Sequence, residues 1–163
     1  MNEGPVVCNA GPLIALAGVA QLPLLRELYS RILVPEPVIE EIMRSGAGRA
    51  GAIEIGSANW LEVVPPTAER DALLAAELGA GESAVLRVAA RLSAPLVLID
   101  ERRACRIATQ VYALKVRGTA GVLVEAKRAG LIPTIRPLLE AMVQDGYFLS
   151  TRLVETACNA AGE

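Results

Sequence analysis

Short strand-like apolar runs alternate along the chain with stretches in which apolar residues recur every three or four positions. Strands are predicted over residues 6–9, 32–34, 60–64, 96–99 and 115–116. Helices are predicted from residue 11, over 22–29, 37–43, 68–78, from 82, after Asp100 (with Ile107, Ala108 and Val111 on its buried side), and over 122–129, 135–144 and 150–160. This alternation predicts an α/β fold with a parallel sheet and helices on both faces.

The strand at 96–99 is the central prediction, because four consecutive apolar residues lead directly into Asp100 and Glu101. Ligands of open α/β sheets bind just beyond the carboxyl ends of strands, so Asp100 lies where a reacting group would be placed. Aspartate also favours the N-cap of a following helix, and this alternative stays open. If the first and fourth strands are neighbours, Asn9 converges with Asp100 at one edge of the sheet.

Length and composition indicate one globular domain. The 163 residues are 53% hydrophobic, which suffices for one packed core. We expect a single domain over residues 1–163, with the C-terminal helices (about 135–160) packed on it. No apolar run reaches the ~18 residues of a membrane span, and no signal segment is evident, so the expected location is the cytoplasm, with no membrane partner.

Charge and aromatic content do not select a partner. The net charge is −2 and aromatic residues make up 3%. The chain therefore lacks the basic footprint and the stacking rings that many nucleic-acid-binding proteins have. A small-molecule α/β protein with no role in nucleic-acid binding stays open as an alternative.

The chemistry is restricted by the complete absence of histidine. Ser-His-Asp and Cys-His nucleophilic catalysis are excluded, as is histidine-ligated zinc. Cys8, Cys105 and Cys158 are far apart, and we interpret them as reduced core thiols. Acid–base or metal chemistry must then rest on carboxylates, which favour hard cations such as Mg²⁺ or Mn²⁺.

Polar residues gather at the predicted ends of strands and in helices: Asn9, Glu41, Glu82, Asp100 and Glu101. Crowded carboxylates cost stability unless a cation neutralises them, so a metal site is one interpretation. Each residue also has a structural alternative. Glu82 and Glu101 suit the first turn of a helix, Glu41 suits a solvated face, and Asn9 suits a turn.

Three arginines are candidates for gripping a phosphate backbone. Residues 46–51 match G-x-G-x-x-G by letter but do not follow a strand, so we interpret them as a helix end and a loop in which Arg49 can meet a phosphate. Arg102 and Arg103 follow the central acids, and the alternative for both is a solvated helix face.

Several segments together resemble PIN-domain proteins, most closely a prokaryotic branch of uncharacterised function. The matching segments are VVCNAGPLIAL (6–16), VPEPVIEEI (34–42), GESA (81–84), LIDERR (98–103), GTAGVL (118–123) and AKRAGLIP (126–133). They occur in the matching order and cover nearly the whole chain. The resemblance implies a three-layer α/β/α fold with a central parallel sheet.

The same resemblance implies a Mg²⁺- or Mn²⁺-dependent ribonuclease, since PIN domains are typically of this kind. Many are toxins of toxin–antitoxin pairs, and dimers are common, so an antitoxin and a homodimer are expected partners. By position, the four acids of the family correspond to Asn9, Glu41, Glu82 and Asp100. The resemblance makes Glu101 an auxiliary metal ligand. It gives Thr119 the role of a pocket hydroxyl, with a helix cap as the alternative.

Two positions depart from the family pattern. Asn9 is neutral where the first acid usually stands, although its amide oxygen still suits Mg²⁺, and Gly11 replaces a serine or threonine. The leading hypothesis is a metal-dependent endoribonuclease that hydrolyses phosphodiesters of single-stranded or structured RNA. The alternative is a catalytically degenerate PIN-fold module that binds RNA or a partner protein without turnover.

Overall fold

The chain folds around a five-stranded parallel sheet. The computed structural model describes residues 4–163. The strands are β1 (Val6–Cys8), β2 (Ile32–Pro35), β3 (Leu61–Val64), β4 (Leu96–Leu98) and β5 (Val116–Arg117). Their spatial order is β3-β2-β1-β4-β5. The first and fourth strands are therefore neighbours, which was the condition for Asn9 and Asp100 to share one edge of the sheet.

The two central strands are apolar along their whole length because helices cover both of their faces. In the register of β1 and β4, Val6 lies opposite Leu96 and Cys8 lies opposite Leu98. All six residues of the two strands are buried. Continuous apolar runs of this kind are typical of parallel strands buried on both sides.

Helices cover both faces of the sheet and complete the three-layer α/β/α arrangement predicted from the sequence. They are α1 (Ala10–Gly18), α2 (Leu24–Leu28), α3 (Glu36–Ser45), α4 (Ala50–Ser57), α5 (Ala72–Glu77), α6 (Ala80–Leu92), α7 (Arg102–Gln110), α8 (Thr119–Arg128), α9 (Arg136–Gln144) and α10 (Thr151–Ala160).

The C-terminal helices share the hydrophobic core of the sheet. Leu139 and Met142 of α9, and Val154 and Cys158 of α10, belong to the same buried cluster as the residues of the strands. The chain between α9 and α10 is thereby held against the rest of the fold. Within residues 4–163, no helix is both long enough and apolar enough to cross a membrane.

Three details of the predicted elements are wrong. The loop predicted over 46–51 ends at Arg49, and Ala50–Ser57 form α4, because Ala52 and Ile55 are buried in the core although glycines lower the helix propensity of this segment. The helix predicted over 68–78 begins only at Ala72, where Asp71 caps it. Val111 lies after α7 and is 55% exposed instead of buried.

Candidate functional site

Asn9 and Asp100 follow the carboxyl ends of the neighbouring strands β1 and β4. The backbone N–H of Asn9 donates to the carbonyl of Leu98 at 2.9 Å, which extends the pairing of β1 and β4 by one residue. Ile99 continues β4 in the same way, through a bond from its N–H to the carbonyl of Arg117. The sheet therefore fixes the backbone at both positions.

Three donors hold the carboxylate of Asp100. The backbone N–H of Thr119 donates to Oδ1 at 2.7 Å, and its hydroxyl donates to Oδ2 at 2.5 Å. The hydroxyl of Tyr147 also donates to Oδ2. A Cβ on Gly118 would lie 2.7 Å from Oδ1, so the start of α8 approaches Asp100 only because this residue has no side chain.

Thr119 is fully buried and spends its hydroxyl on Asp100. It is the first residue of α8, and Gly118 takes the N-cap position. The capping alternative for Thr119 is therefore wrong. The contact that the structure shows instead is the hydrogen bond from the Thr119 hydroxyl, which orients the Asp100 carboxylate.

Sequence reasoning missed Tyr147, which lies between α9 and α10 and is 47 residues away from Asp100 in sequence. No motif surrounds it, and the preceding Asp-Gly signals only a turn. Burial raises the pKa of Tyr147, and the negative charge of Asp100 raises it further. The phenol therefore stays protonated and can act as a donor across the physiological range.

Asn9 and Glu41 meet around the backbone of Gly81. A Cβ on Gly81 would lie 2.8 Å from Oε2 of Glu41 and 3.8 Å from Oδ1 of Asn9. Asn9 is buried, and its Oδ1 has no hydrogen-bond partner among the described residues. A buried polar oxygen without a partner is costly, so this atom is a candidate ligand for a cation.

Glu82 lies next to this pair, in the first turn of α6. Its carboxylate accepts the backbone N–H of Gly79 at 3.1 Å, which closes the start of the helix. Burial raises the pKa of Glu82; the bond from Gly79 opposes that shift, and the charges of Glu101 and Glu41 add to it. Glu101 and Glu41 therefore both lie within electrostatic reach of Glu82.

Glu101, rather than Asp100, is the N-cap of α7. Its two carboxylate oxygens accept the backbone N–H groups of Arg103 at 3.0 Å and Ala104 at 2.7 Å. The capping alternative for Asp100 is therefore wrong. The Asp100 carboxylate instead accepts hydrogen bonds from Thr119 and Tyr147. The contacts of Glu101 match the structural alternative raised for it more closely than the role of an auxiliary metal ligand.

The negative charge of Asp100 also reaches two cysteines. Burial raises the pKa of Cys8, and Asp100 raises it further. Burial, then Asp100 and Glu101, raise the pKa of Cys105 to about 11. Cys8 and Cys158 are buried and Cys105 is partly buried; all three are free thiols, as predicted. Neither thiol beside Asp100 is a ready nucleophile.

The three arginines predicted to contact phosphate occupy different places. Arg49 is exposed at the start of α4 and lines a cavity of about 430 Å³ between α1, α3, α4 and residues 145–147. Tyr147, whose hydroxyl donates to Asp100, lines the same cavity. Arg102 and Arg103 are exposed on α7, and Arg103 forms an ion pair with Glu77 at 2.8 Å.

The predicted acids do not form one closed ligand set. In the described part of the chain, no three Asp, Glu or Cys side chains converge as a group that could hold a metal ion. Across the same residues, the ion pairs of lysine and arginine engage other carboxylates: Glu62, Glu77, Glu125, Glu155 and Glu163. Among residues 4–163, no lysine or arginine forms an ion pair with Glu41, Glu82 or Asp100. An ion that keeps several waters needs only one or two protein carboxylates.

The family model DUF3368, described as a PIN domain, matches residues 5–163 of the chain. No curated protein shows significant similarity to the chain, and neither does any solved structure.

Proposed function

The chain belongs to the DUF3368 family of PIN domains, and from this premise we propose that it is a divalent-metal-dependent endoribonuclease. PIN domains are a nuclease-type fold family and generally use divalent metal ions. The proposal assigns the metal to the acidic edge of the sheet and takes the phosphodiester backbone of RNA as the substrate.

The observation that carries this proposal is the buried Oδ1 of Asn9, which has no partner among residues 4–163. It and the carboxylate of Glu41 both approach Gly81, and Asn9 lies at the same sheet edge as Asp100. Oxygen ligands of this kind suit Mg²⁺ and Mn²⁺, and Mg²⁺ needs only one or two carboxylates because it keeps several waters. An incomplete protein ligand set is therefore compatible with such an ion.

We assign the metal to Asn9, Glu41, Glu82 and Asp100, with one or two of these carboxylates bound directly and the others reaching the ion through its waters. A bound Mg²⁺ or Mn²⁺ supplies water activation and neutralises charge at the scissile phosphate. Thr119 and Tyr147 keep the Asp100 carboxylate in one orientation.

Two exposed arginines are proposed to hold the RNA. Arg49, which lines the same cavity as Tyr147, and Arg102, on the helix that follows Asp100, offer positive charge to the backbone. Arg103 contributes less in this proposal, because its charge is already paired with Glu77.

The experiment compares cleavage of a mixed single-stranded RNA by wild type and Asp100→Asn in Mn²⁺, Mg²⁺ or EDTA. Asp71→Asn is the matched control, because Asp71 also accepts a tyrosine hydroxyl, that of Tyr112, and also lies at the start of a helix. We expect wild type and Asp71→Asn to cleave only with metal, and Asp100→Asn not to cleave. Cleavage in EDTA, or full activity of a folded Asp100→Asn, refutes the proposal.

A second candidate is a PIN-fold module that binds RNA or a partner protein without turnover. It is favoured by the neutral Asn9 and by the absence, within residues 4–163, of three converging Asp, Glu or Cys side chains. It predicts metal-independent RNA binding and no cleavage in any arm of the experiment. Asn9→Asp then becomes the decisive variant, since it adds the missing charge at the orphaned oxygen and should restore Mn²⁺ binding.

The proposal also covers the partners of the protein and its location in the cell. We propose that the protein acts as a cytoplasmic toxin with a cognate antitoxin, and as a homodimer. Light scattering after size exclusion gives the oligomeric state. Co-expression with the product of a neighbouring small gene tests the antitoxin: co-purification with loss of cleavage is expected, and independent migration of the two proteins contradicts this part of the proposal.

A further inference from the structure

We propose that Tyr147 is a positioning residue of the acidic site, held over Gly11 so that its hydroxyl completes the set of donors that orients Asp100 for a divalent cation. This inference rests on the proposed function, because it concerns the same carboxylate. It adds a residue from the C-terminal segment, which none of the sequence motifs included.

Gly11 provides the space for the Tyr147 hydroxyl. A Cβ at Gly11 would lie 2.8 Å from that oxygen, which is closer than real Cβ contacts come, but 3.5 Å from Oδ2 of Asp100, which is an ordinary contact. A side-chain carbon at position 11 and the hydroxyl of Tyr147 would therefore occupy the same space. An alanine at Gly11 would therefore displace the tyrosine hydroxyl while leaving room for the acid.

The donors divide the two oxygens of Asp100 unequally. Among the described residues, Oδ2 accepts both hydroxyls, from Thr119 and Tyr147, whereas Oδ1 accepts only the backbone N–H of Thr119. A carboxylate has about four lone-pair sites, so one site on Oδ1 stays free. Tyr147 thereby directs the acid towards binding a cation through a single oxygen.

The segment that carries Tyr147 is anchored on both sides. The backbone N–H of Tyr147 donates to the carbonyl of Met142 at 2.9 Å, and Met142 and Leu149 are buried. Gly146 has φ +89°, a conformation that favours glycine, and it turns the chain towards the site. The tyrosine is thus delivered by packed structure rather than by a free loop.

The first test measures the affinity for Mn²⁺ alone by calorimetry in wild type, Tyr147→Phe and Gly11→Ala. Tyr147→Phe removes only the hydroxyl, and Gly11→Ala displaces it by a different route. Partners that orient a metal ligand typically contribute 10–100-fold to affinity, so we expect both variants to bind Mn²⁺ about 10-fold more weakly. Tyr112→Phe, which loses an equivalent bond to Asp71, should bind like wild type.

The second test does not depend on metal. We expect Tyr147→Phe to lower the urea midpoint in the wild-type background and to leave it unchanged in the Gly11→Ala background, because the hydroxyl has already lost its place there. Equal shifts in the two backgrounds refute the contact. Mn²⁺ affinities within twofold of wild type for both variants refute the positioning role.

The two proposals fail in different ways. If wild type binds no Mn²⁺, the proposed function falls, and the urea cycle alone decides the assignment of Tyr147 to Asp100. If wild type binds Mn²⁺ and cleaves RNA while both variants behave like it, the nuclease proposal stands and the role of Tyr147 falls.

Discussion

Replacing Gly81 with alanine should separate the stability of the fold from the function of its acidic edge. Gly81 is the second residue of α6, and an added Cβ would lie 2.8 Å from Oε2 of Glu41. Ordinary contacts begin at 3.4 Å, so the carboxylate has to retreat by about 0.6 Å. Glu41 is exposed, and its flexible end can make this move without disturbing the core.

We expect Gly81→Ala to gain thermal stability and to lose Mn²⁺ affinity and RNA cleavage. Glycine within a helix costs about 0.5–1 kcal/mol relative to alanine, and a change of 1 kcal/mol shifts the Tm of a domain this size by roughly 2–4 °C. Gly81→Ala should therefore raise the Tm of the metal-free protein by about 1–4 °C. Functional groups tolerate about 0.5 Å of displacement, and 1 Å can cost about 100-fold in rate. We expect roughly a tenfold loss in Mn²⁺ affinity and RNA cleavage.

Gly51→Ala is the matched control. Gly51 is the second residue of α4 and, like Gly81, follows an alanine. A Cβ there would meet only Ala17, at an ordinary 3.6 Å. Calorimetric melting and Mn²⁺ titration of both variants should show a similar gain in Tm but a loss of affinity only for Gly81→Ala. A lowered Tm for Gly81→Ala, or equal affinities in the two variants, refutes the reasoning.

Three further variants test the charges. Glu101→Ala should lower the free energy of unfolding by about 1 kcal/mol in urea titrations, because α7 loses its N-cap. Glu82→Gln should raise the Tm of the metal-free protein at pH 7 and lose this advantage in acid. Burial, followed by the charges of Glu101 and Glu41, raises the pKa of Glu82, so its ionised form is disfavoured in the folded state. A hydrogen bond from Lys127 is the largest cause that lowers the pKa of Glu163 to about 2. Wild type should therefore lose stability between about pH 4.5 and pH 2 more steeply than Glu163→Gln.

Each of these expectations has a contradictory result. An unfolding free energy of Glu101→Ala equal to wild type would mean that α7 does not need its cap. A Tm of Glu82→Gln below wild type at neutral pH would mean that the hydrogen bond from Gly79 to Glu82 outweighs the cost of burying the Glu82 charge beside Glu101 and Glu41. Parallel acid-unfolding curves for wild type and Glu163→Gln would remove Lys127 and Glu163 from the acid-sensitive contacts.

The apolar pattern was sufficient for the sheet but not for every helix. The strands around Val6, Ile32 and Leu96 are buried on both sides, so their identity follows from local runs alone. α4 contains Gly51 and Gly56, and its propensity argues against a helix. It forms because it packs on α1 and α3, and a local pattern does not contain that contact.

The site was predictable where topology acts through strand ends. Asp100 and Asn9 reach one edge because β1 and β4 pair, a consequence of strand order and handedness. The choice of Glu101 over Asp100 as helix cap depends on side-chain directions that spacing does not contain. Tyr147 was beyond sequence reasoning, because its contact crosses 47 residues and depends on how α9 and α10 pack.

The distance along the chain between Asp100 and Tyr147 also sets an order of events during synthesis. The ribosome makes Asn9 first, then Glu41 and Asp100, and Tyr147 only after α8 and α9. Throughout that interval, the emerging chain is surrounded by ribosomal and messenger RNA while Asp100 lacks its tyrosine donor. If the acidic edge holds the metal of the proposed nuclease, that edge acquires its final alignment only late in translation, and the proposed cleavage of RNA would be weakest while the chain is still on the ribosome.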